Sequence, residues 1–154
     1  MKAPSPRAQL DGFLSKFSPE VRRTARTTLA KMRRRLPGAL ELVYDNYNAL
    51  AIGFGPSERT SEAIFSIALF PRWVSLFFLQ SGARLPDPRK LLKGSGKRAR
   101  HIVLTSAVDL DRPGVRKLMQ EALTRAVRPI DRRERNRTII KSVSVKQRPR
   151  RPSQ

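Results

Sequence analysis

Apolar residues recur along this chain in two periods, and the switches between them mark out its elements. Between Ser18 and Leu36, the residues Val21, Ala25, Thr28, Leu29, Met32 and Leu36 share one helical face, while Arg22, Arg23, Arg26, Arg33 and Arg34 occupy the other. Ser18-Pro19-Glu20 opens this helix: the hydroxyl accepts a backbone N–H, proline suits the first helical position and Glu suits the positive end of the dipole. Leu36-Pro37-Gly38 closes it. A short turn or helix is expected through 39–45. Period two takes over at Asn48 to Phe54, where Leu50, Ile52 and Phe54 alternate with Ala51 and Gly53. After the Gly55-Pro56-Ser57 break, Glu62 to Phe70 and Trp73 to Gln80 read as an antiparallel hairpin. Its Pro71-Arg72 connection excludes a type I′ turn and leaves a type I turn or a slightly longer loop.

Leu85-Pro86-Asp87-Pro88 predicts a short helical turn ending near Leu92, and a flexible basic loop then leads to a strand from His101 to Ser106. Asp111 is expected to cap a last helix, whose apolar stripe is Val115, Leu118, Met119, Ala122, Leu123, Ala126 and Val127. Terminal helices on one face of an antiparallel sheet of about four strands make a two-layer α+β domain. Its expected limits are 19–128, with a partly flexible segment at 1–18 and a basic tail at 129–154. The tail's mixture of Arg, Asp, Glu and Pro buries too little apolar surface to order itself, so it is expected to be disordered, with Ile139, Ile140, Val143 and Val145 the only residues suited to dock as a short extended piece.

Composition sharpens this picture mainly through charge. The 154 residues hold 33 Lys and Arg against 12 Asp and Glu, a formal charge of +21. The excess is +8 over residues 1–37, +6 over 38–128 and +7 over 129–154, so the ends carry most of the field. The absence of Cys excludes disulfides, thiolate metal sites and a Cys nucleophile, and is compatible with a reducing cytoplasm. There is no signal-peptide pattern at the start. The most apolar window, Ala63 to Leu79, is interrupted by Pro71-Arg72 and is shorter than the roughly 20 residues of a membrane span. A cytoplasmic protein without membrane contact is the expectation.

Candidate chemistry follows from the same charges. In the loop Lys93, Gly94, Ser95, Gly96, Lys97, Arg98, Arg100 and His101, glycines open the backbone N–H groups to an anion and basic side chains surround them. It is not a Walker A motif, which needs Gly at Leu91 and Ser or Thr at Arg98. A small anionic ligand suits such a loop, and so does plain solvation. His101, the single histidine, has no second imidazole for a metal, and it suits acid-base work less well than a structural place in its strand. No serine elbow, catalytic triad or facing carboxylate pair is present, so no catalytic residue, metal site or cofactor is assigned and an enzyme is not the expectation. Tyr44, Asp45, Tyr47 and Asn48 with Trp73 form a possible pocket. Phe65, Phe70, Trp73, Phe77 and Phe78 suit either a core or a base-stacking platform. The strongest signal is the basic helix face, Arg22, Arg23, Arg26, Arg33 and Arg34, with the tail residues Arg132, Arg133, Arg135, Arg137, Arg148, Arg150 and Arg151. These predict sequence-blind attachment to a polyanion such as nucleic acid.

Three segments, Leu42 to Asn48, Ile67 to Phe78 and Leu91 to Ile102, resemble the YdhG-like family, a bacterial domain of unknown function, over roughly residues 20 to 128. The resemblance implies a compact α+β fold similar to frataxin, and an iron-handling role has been proposed for part of that family. It brings no agreed catalytic residues. Frataxins present an acidic ridge to iron, whereas the basic helix face here repels a dication. Polyanion binding is therefore the leading expectation, with a small anionic metabolite or iron as alternatives.

Overall fold

The computed structural model describes residues 3–153. Helix α1 (Pro6–Leu14) and helix α2 (Pro19–Arg35) precede strands β1 (Leu40–Asp45), β2 (Leu50–Gly55), β3 (Phe65–Leu69), β4 (Val74–Phe78) and β5 (Arg100–Leu104). Helix α3 (Pro113–Thr124) and strand β6 (Arg137–Val143) follow. One sheet runs β5-β4-β3-β2-β1-β6, antiparallel except that β6 lies parallel to β1. The α+β class agrees with the sequence reading, but the four antiparallel strands expected there are six strands of a mixed sheet.

Register explains where the core sits. Ile140, Val43, Ile52, Ile67, Leu76 and Ile102 line up across one side of all six strands. That side packs against Leu10 and Leu14 of α1, Ala25, Leu29 and Met32 of α2, and Val115, Leu118 and Met119 of α3. All three helices therefore cover one face. Burying each large aliphatic side chain there contributes about 1.5–3 kcal/mol.

Three expectations are corrected. The segment 1–18, of which residues 3–18 are described, holds helix α1: the Ser5 hydroxyl accepts the Ala8 N–H at 3.1 Å, Pro6 occupies the first turn, and Leu10, Leu14 and Phe17 are buried. The segment 39–45, expected as a turn or helix, holds strand β1, which the sequence hides because the residues flanking Val43 on its inward side are the buried Glu41 and Asp45, a polar pattern for a core strand. Of residues 129–154, expected as a disordered tail, those described, 129–153, supply β6 and return to the body. Asn136 clips this return by accepting from the Gly38 N–H at 3.0 Å and donating to the Leu36 carbonyl at 3.3 Å. Gly38 is required there: its φ is +88°, and a Cβ would lie 2.0 Å from the Asp131 carbonyl oxygen.

Two smaller differences concern helix ends. No helix forms at 85–92; Gly82–Arg84 is a short 3₁₀ turn, and the Asp87 carboxylate accepts the N–H groups of Leu91 and Leu92, both at 2.9 Å. Helix α3 starts after Arg112 with no side-chain cap. Asp111 instead gathers Lys31, Arg35 and Arg116, joining α2 to α3. The Lys31 hydrogen bond, followed by the fields of Lys31, Arg35 and Arg116, holds the Asp111 carboxyl below the ordinary aspartate range. A carboxyl depressed on folding stabilises the fold above its unfolded pKa of about 3.9, and that contribution is lost as pH falls through the folded value. Urea unfolding at pH 7 and pH 3 is expected to show the loss, and Asp111→Asn should flatten it; an unchanged pH dependence in the variant would remove Asp111 from the acid response.

Candidate functional site

The sheet face turned away from the helices carries two rows of side chains. Tyr44, Ala51, Ala68, Ser75 and Val103 form one; Leu42, Gly53, Ser66, Phe77 and His101 form the other, continued at the edge by Lys93, which is bridged to His101. Residues 57–63 fold over the β1–β2 half. There the Tyr44 hydroxyl meets Thr60 Oγ1, Lys141 Nζ donates to the Glu58 carbonyl at 3.1 Å, and a Cβ on Gly55 would stand 2.9 Å from Ala63 Cα. On the β3–β5 half the larger side chains reach solvent, while Ser66, Ala68 and Ser75 between them are buried. Trp73 is 42% exposed and Val103 38%, while Phe77 and His101 are half-buried. Phe70 stacks on Trp73 with ring centroids 4.8 Å apart, and Phe77 leans on His101 at 5.0 Å. Between them lies a floor of small side chains, Ser66, Ala68 and Ser75. The Ser75 hydroxyl is buried with no hydrogen-bond partner among the described residues.

Beyond the end of β4 lies a cavity of about 260 Å³ lined by Gln80, Ser81, Ala83, Arg84, Lys97 and Arg98; the Val127 N–H donates to Gln80 Oε1 at 3.0 Å and Arg125 donates to the Arg84 carbonyl at 3.4 Å, so it borders the end of α3. Three cations line it and no carboxylate does. Gly82 makes it possible: a Cβ there would lie 2.6 Å from the Arg100 backbone nitrogen, so only glycine lets the 3₁₀ turn approach the start of β5. Arg84 was not singled out in the sequence, because nothing local links it to Lys97. The Ala83 N–H donating to the Arg98 carbonyl at 2.8 Å makes that link.

The predicted anion loop is divided by the fold. Gly94 takes the left-handed backbone expected of glycine, with φ +117°, and Lys93, Ser95, Gly96, Lys97 and Arg98 are exposed. Arg100 folds back to donate to the carbonyls of Gly96 (2.5 Å) and Ala99 (2.8 Å), and His101 belongs to the sheet. The predicted pocket is not one pocket. Asp45 is buried on the helix side of β1, Tyr44 points to the opposite side, Tyr47 stands in the β1–β2 turn beneath Arg148 at 5.5 Å, Asn48 is exposed in the same turn, and Trp73 is in the β3–β4 turn. Of the aromatics, Phe65 and Phe78 are core residues, meeting edge to face at 5.6 Å.

The basic helix face is likewise divided. Arg33 donates twice to the fully buried Glu41, at 2.8 Å each; Arg26 pairs with Asp11 at 3.3 Å; Arg22 donates to the Ser15 carbonyl at 3.3 Å. Arg23 and Arg34 point to solvent. In the former tail, Arg150 is inside the protein on Asp45, Arg133 pairs with Asp131, and Arg151 donates to the Lys16 carbonyl at 3.1 Å, whereas Arg132, Arg135, Arg137 and Arg148 are exposed. A cavity of about 430 Å³ between Gly38 and the 128–137 segment has Arg128, Arg135 and Arg137 offset by Glu58, Asp131 and Glu134. It is electrically mixed, unlike the cavity at Arg84.

Among the described residues, no group of three or more His, Asp or Glu is placed to hold a metal ion, and no helix is long and apolar enough to cross a membrane. No family model, curated protein or solved structure matches the chain.

Proposed function

We propose that this chain is a non-enzymatic, cytoplasmic module that associates with nucleic acid through exposed arginines and lysines. We also propose YdhG-like membership, on the three matching segments alone. The observation that carries the reading is the imbalance left after internal pairing. Among the described residues, eleven basic side chains engage eight carboxylates, and most of the remaining cations stand exposed without an acidic partner. The binding set is therefore smaller than the sequence suggested. It comprises Arg23, Arg34, Arg132, Arg135, Arg137 and Arg148, together with the Lys93–Arg98 loop and Arg84.

Salt titration tests it. If about five of these side chains neutralise phosphates, affinity for duplex DNA should fall with a log-log slope of about −4 to −5, near −0.9 per contact. Replacing Arg135 and Arg137 with glutamine should make that slope shallower by roughly two. A flat salt response, or no retention of DNA at low salt, would overturn the reading. Deleting residues 129–154 is a poor test, since it removes β6 and Arg150 along with the charge.

A second reading is favoured by the cavity at Arg84, Lys97 and Arg98: a small phosphorylated or carboxylated metabolite seated there. A ligand at about 100 times its dissociation constant adds about 2.7 kcal/mol of stability. Thermal-shift measurements with pyrophosphate, citrate and nucleoside monophosphates, repeated on Lys97→Ala, would display this; no shift with any of them excludes it for these classes.

A further inference from the structure

We infer that the β3–β5 half of the outer sheet face is a platform for single-stranded nucleic acid, with bases stacking on Trp73 and Phe77 and phosphates held by the cations at its rim and beyond the end of β4. This rests on the polyanion reading and specifies its site and substrate form.

Three independent features meet on this face. The first is aromatic: the Phe70–Trp73 pair is already stacked, with ring planes 19° apart, so a base laid on it continues an existing stack, and Phe77 with His101 offers a second surface. Base-aromatic stacking is tolerant of sequence because every base has a π-face. The second is spacing. Trp73, immediately before β4, and Phe77 within it are four residues apart, about 13 Å at roughly 3.3 Å per residue of extended chain. That distance spans about four nucleotides at the 3.4 Å rise of a stacked strand. The floor between them is made of Ser66, Ala68 and Ser75, which are buried among the larger side chains, so the rings and Val103 form the solvent-facing surface.

The third is charge. Arg72 is exposed beside Trp73 at one end, Lys93 lies on the edge beside His101, and Arg84, Lys97 and Arg98 surround the cavity beyond the end of β4. No carboxylate occurs in the β3–β5 part of either row. An apolar protein partner would find its rim lined by unmatched cations, whereas a sugar-phosphate backbone answers both the rings and the rim. Duplex DNA hides its base faces and reaches only the cations.

The chain contains one tryptophan, so intrinsic fluorescence reports on Trp73 alone. Titrating the full chain with a twelve-residue oligothymidylate is expected to quench that fluorescence in a saturable, salt-sensitive manner, while a duplex of equal length binds without comparable quenching. With a fluorescein-labelled strand read by anisotropy, Phe77→Ala and Trp73→Ala should each weaken single-strand binding roughly 5- to 150-fold. Duplex binding should change less than about twofold, and Trp73→Phe should restore the single-strand affinity. Trp73 lies in an exposed turn, so its variants keep the test independent of any folding defect in Phe77→Ala. If single strand and duplex bind equally and Trp73 is unquenched, the platform is overturned and the polyanion reading stands. If neither binds at low salt, the polyanion reading fails and the platform with it.

Discussion

Replacing Arg150 with alanine is expected to destabilise the fold by about 3–5 kcal/mol, the range for a buried ion pair broken on one side. Asp45 is 1% exposed and its Oδ1 accepts from Arg150 Nη2 at 2.8 Å, so the variant leaves a carboxylate inside the protein without its cation. The same guanidinium donates to the Asn46 carbonyl at 2.6 Å and lies 5.7 Å over the ring of Phe17. One side chain near the end of the chain thus ties the β1–β2 turn to the segment between α1 and α2. The pair is not itself a large net gain, because Asp45 Oδ2 and Arg150 Nε have no hydrogen-bond partner among the described residues, and desolvation opposes the attraction. The double variant Asp45→Leu with Arg150→Met should therefore recover much of the loss. Urea unfolding of the two proteins checks this; a single-variant cost under about 1 kcal/mol would mean that the C-terminal segment is not seated on β1.

What the sequence made legible divides along the length scale of the interactions. Many local signals held: the Ser18 cap, the α2 stripe, the alternation of β2 and the β3–β4 hairpin all depend on neighbours within a few positions, whereas the Asp111 cap and the helical turn at 85–92 did not form. Strand β1 was concealed because Glu41 and Asp45 occupy core positions, and the cations that make this tolerable come from Arg33 in one helix and Arg150 more than a hundred residues away. Strand β6 was half legible: Ile139, Ile140 and Val143 marked an extended piece able to dock, but the charge-rich stretch around them and the misreading of their partner strand hid that it completes the sheet. The candidate site shows the same division. The basic loop and the aromatic spacing were visible, but alternation alone does not say which aromatic faces the helices. That Phe65 and Phe78 point inward while Phe70, Trp73 and Phe77 point outward is decided by which side the helices cover. The role of Arg84 depends wholly on a turn meeting a distant loop.

Arg33→Ala and Arg34→Ala, adjacent in sequence and identical in composition, are expected to fail in different ways. Arg33 is half-buried and makes a bidentate pair with Glu41, which is fully buried; Arg7 also reaches Glu41, at 3.4 Å, but its side chain is half exposed. Removing Arg33 leaves the carboxylate with that weaker partner alone, so the cost should be about 3 kcal/mol, the low end for a broken buried pair. Nucleic-acid affinity of the protein that remains folded should hardly move, since Arg33 is already committed inside. Arg34 has no acidic partner among the described residues and faces solvent, so its loss should stay within about 0.5 kcal/mol of stability. If it touches a phosphate, the salt slope should drop by roughly 0.9. Urea unfolding and salt-dependent DNA binding on both variants separate the two roles. Equal destabilisation would contradict the geometry of α2 on β1, and a loss of DNA affinity in Arg33→Ala alone would mean that the interior pair opens to bind phosphate. The distinction matters for reading any strongly basic chain: the arginines that hold buried carboxylates must be subtracted before the rest are counted toward a partner.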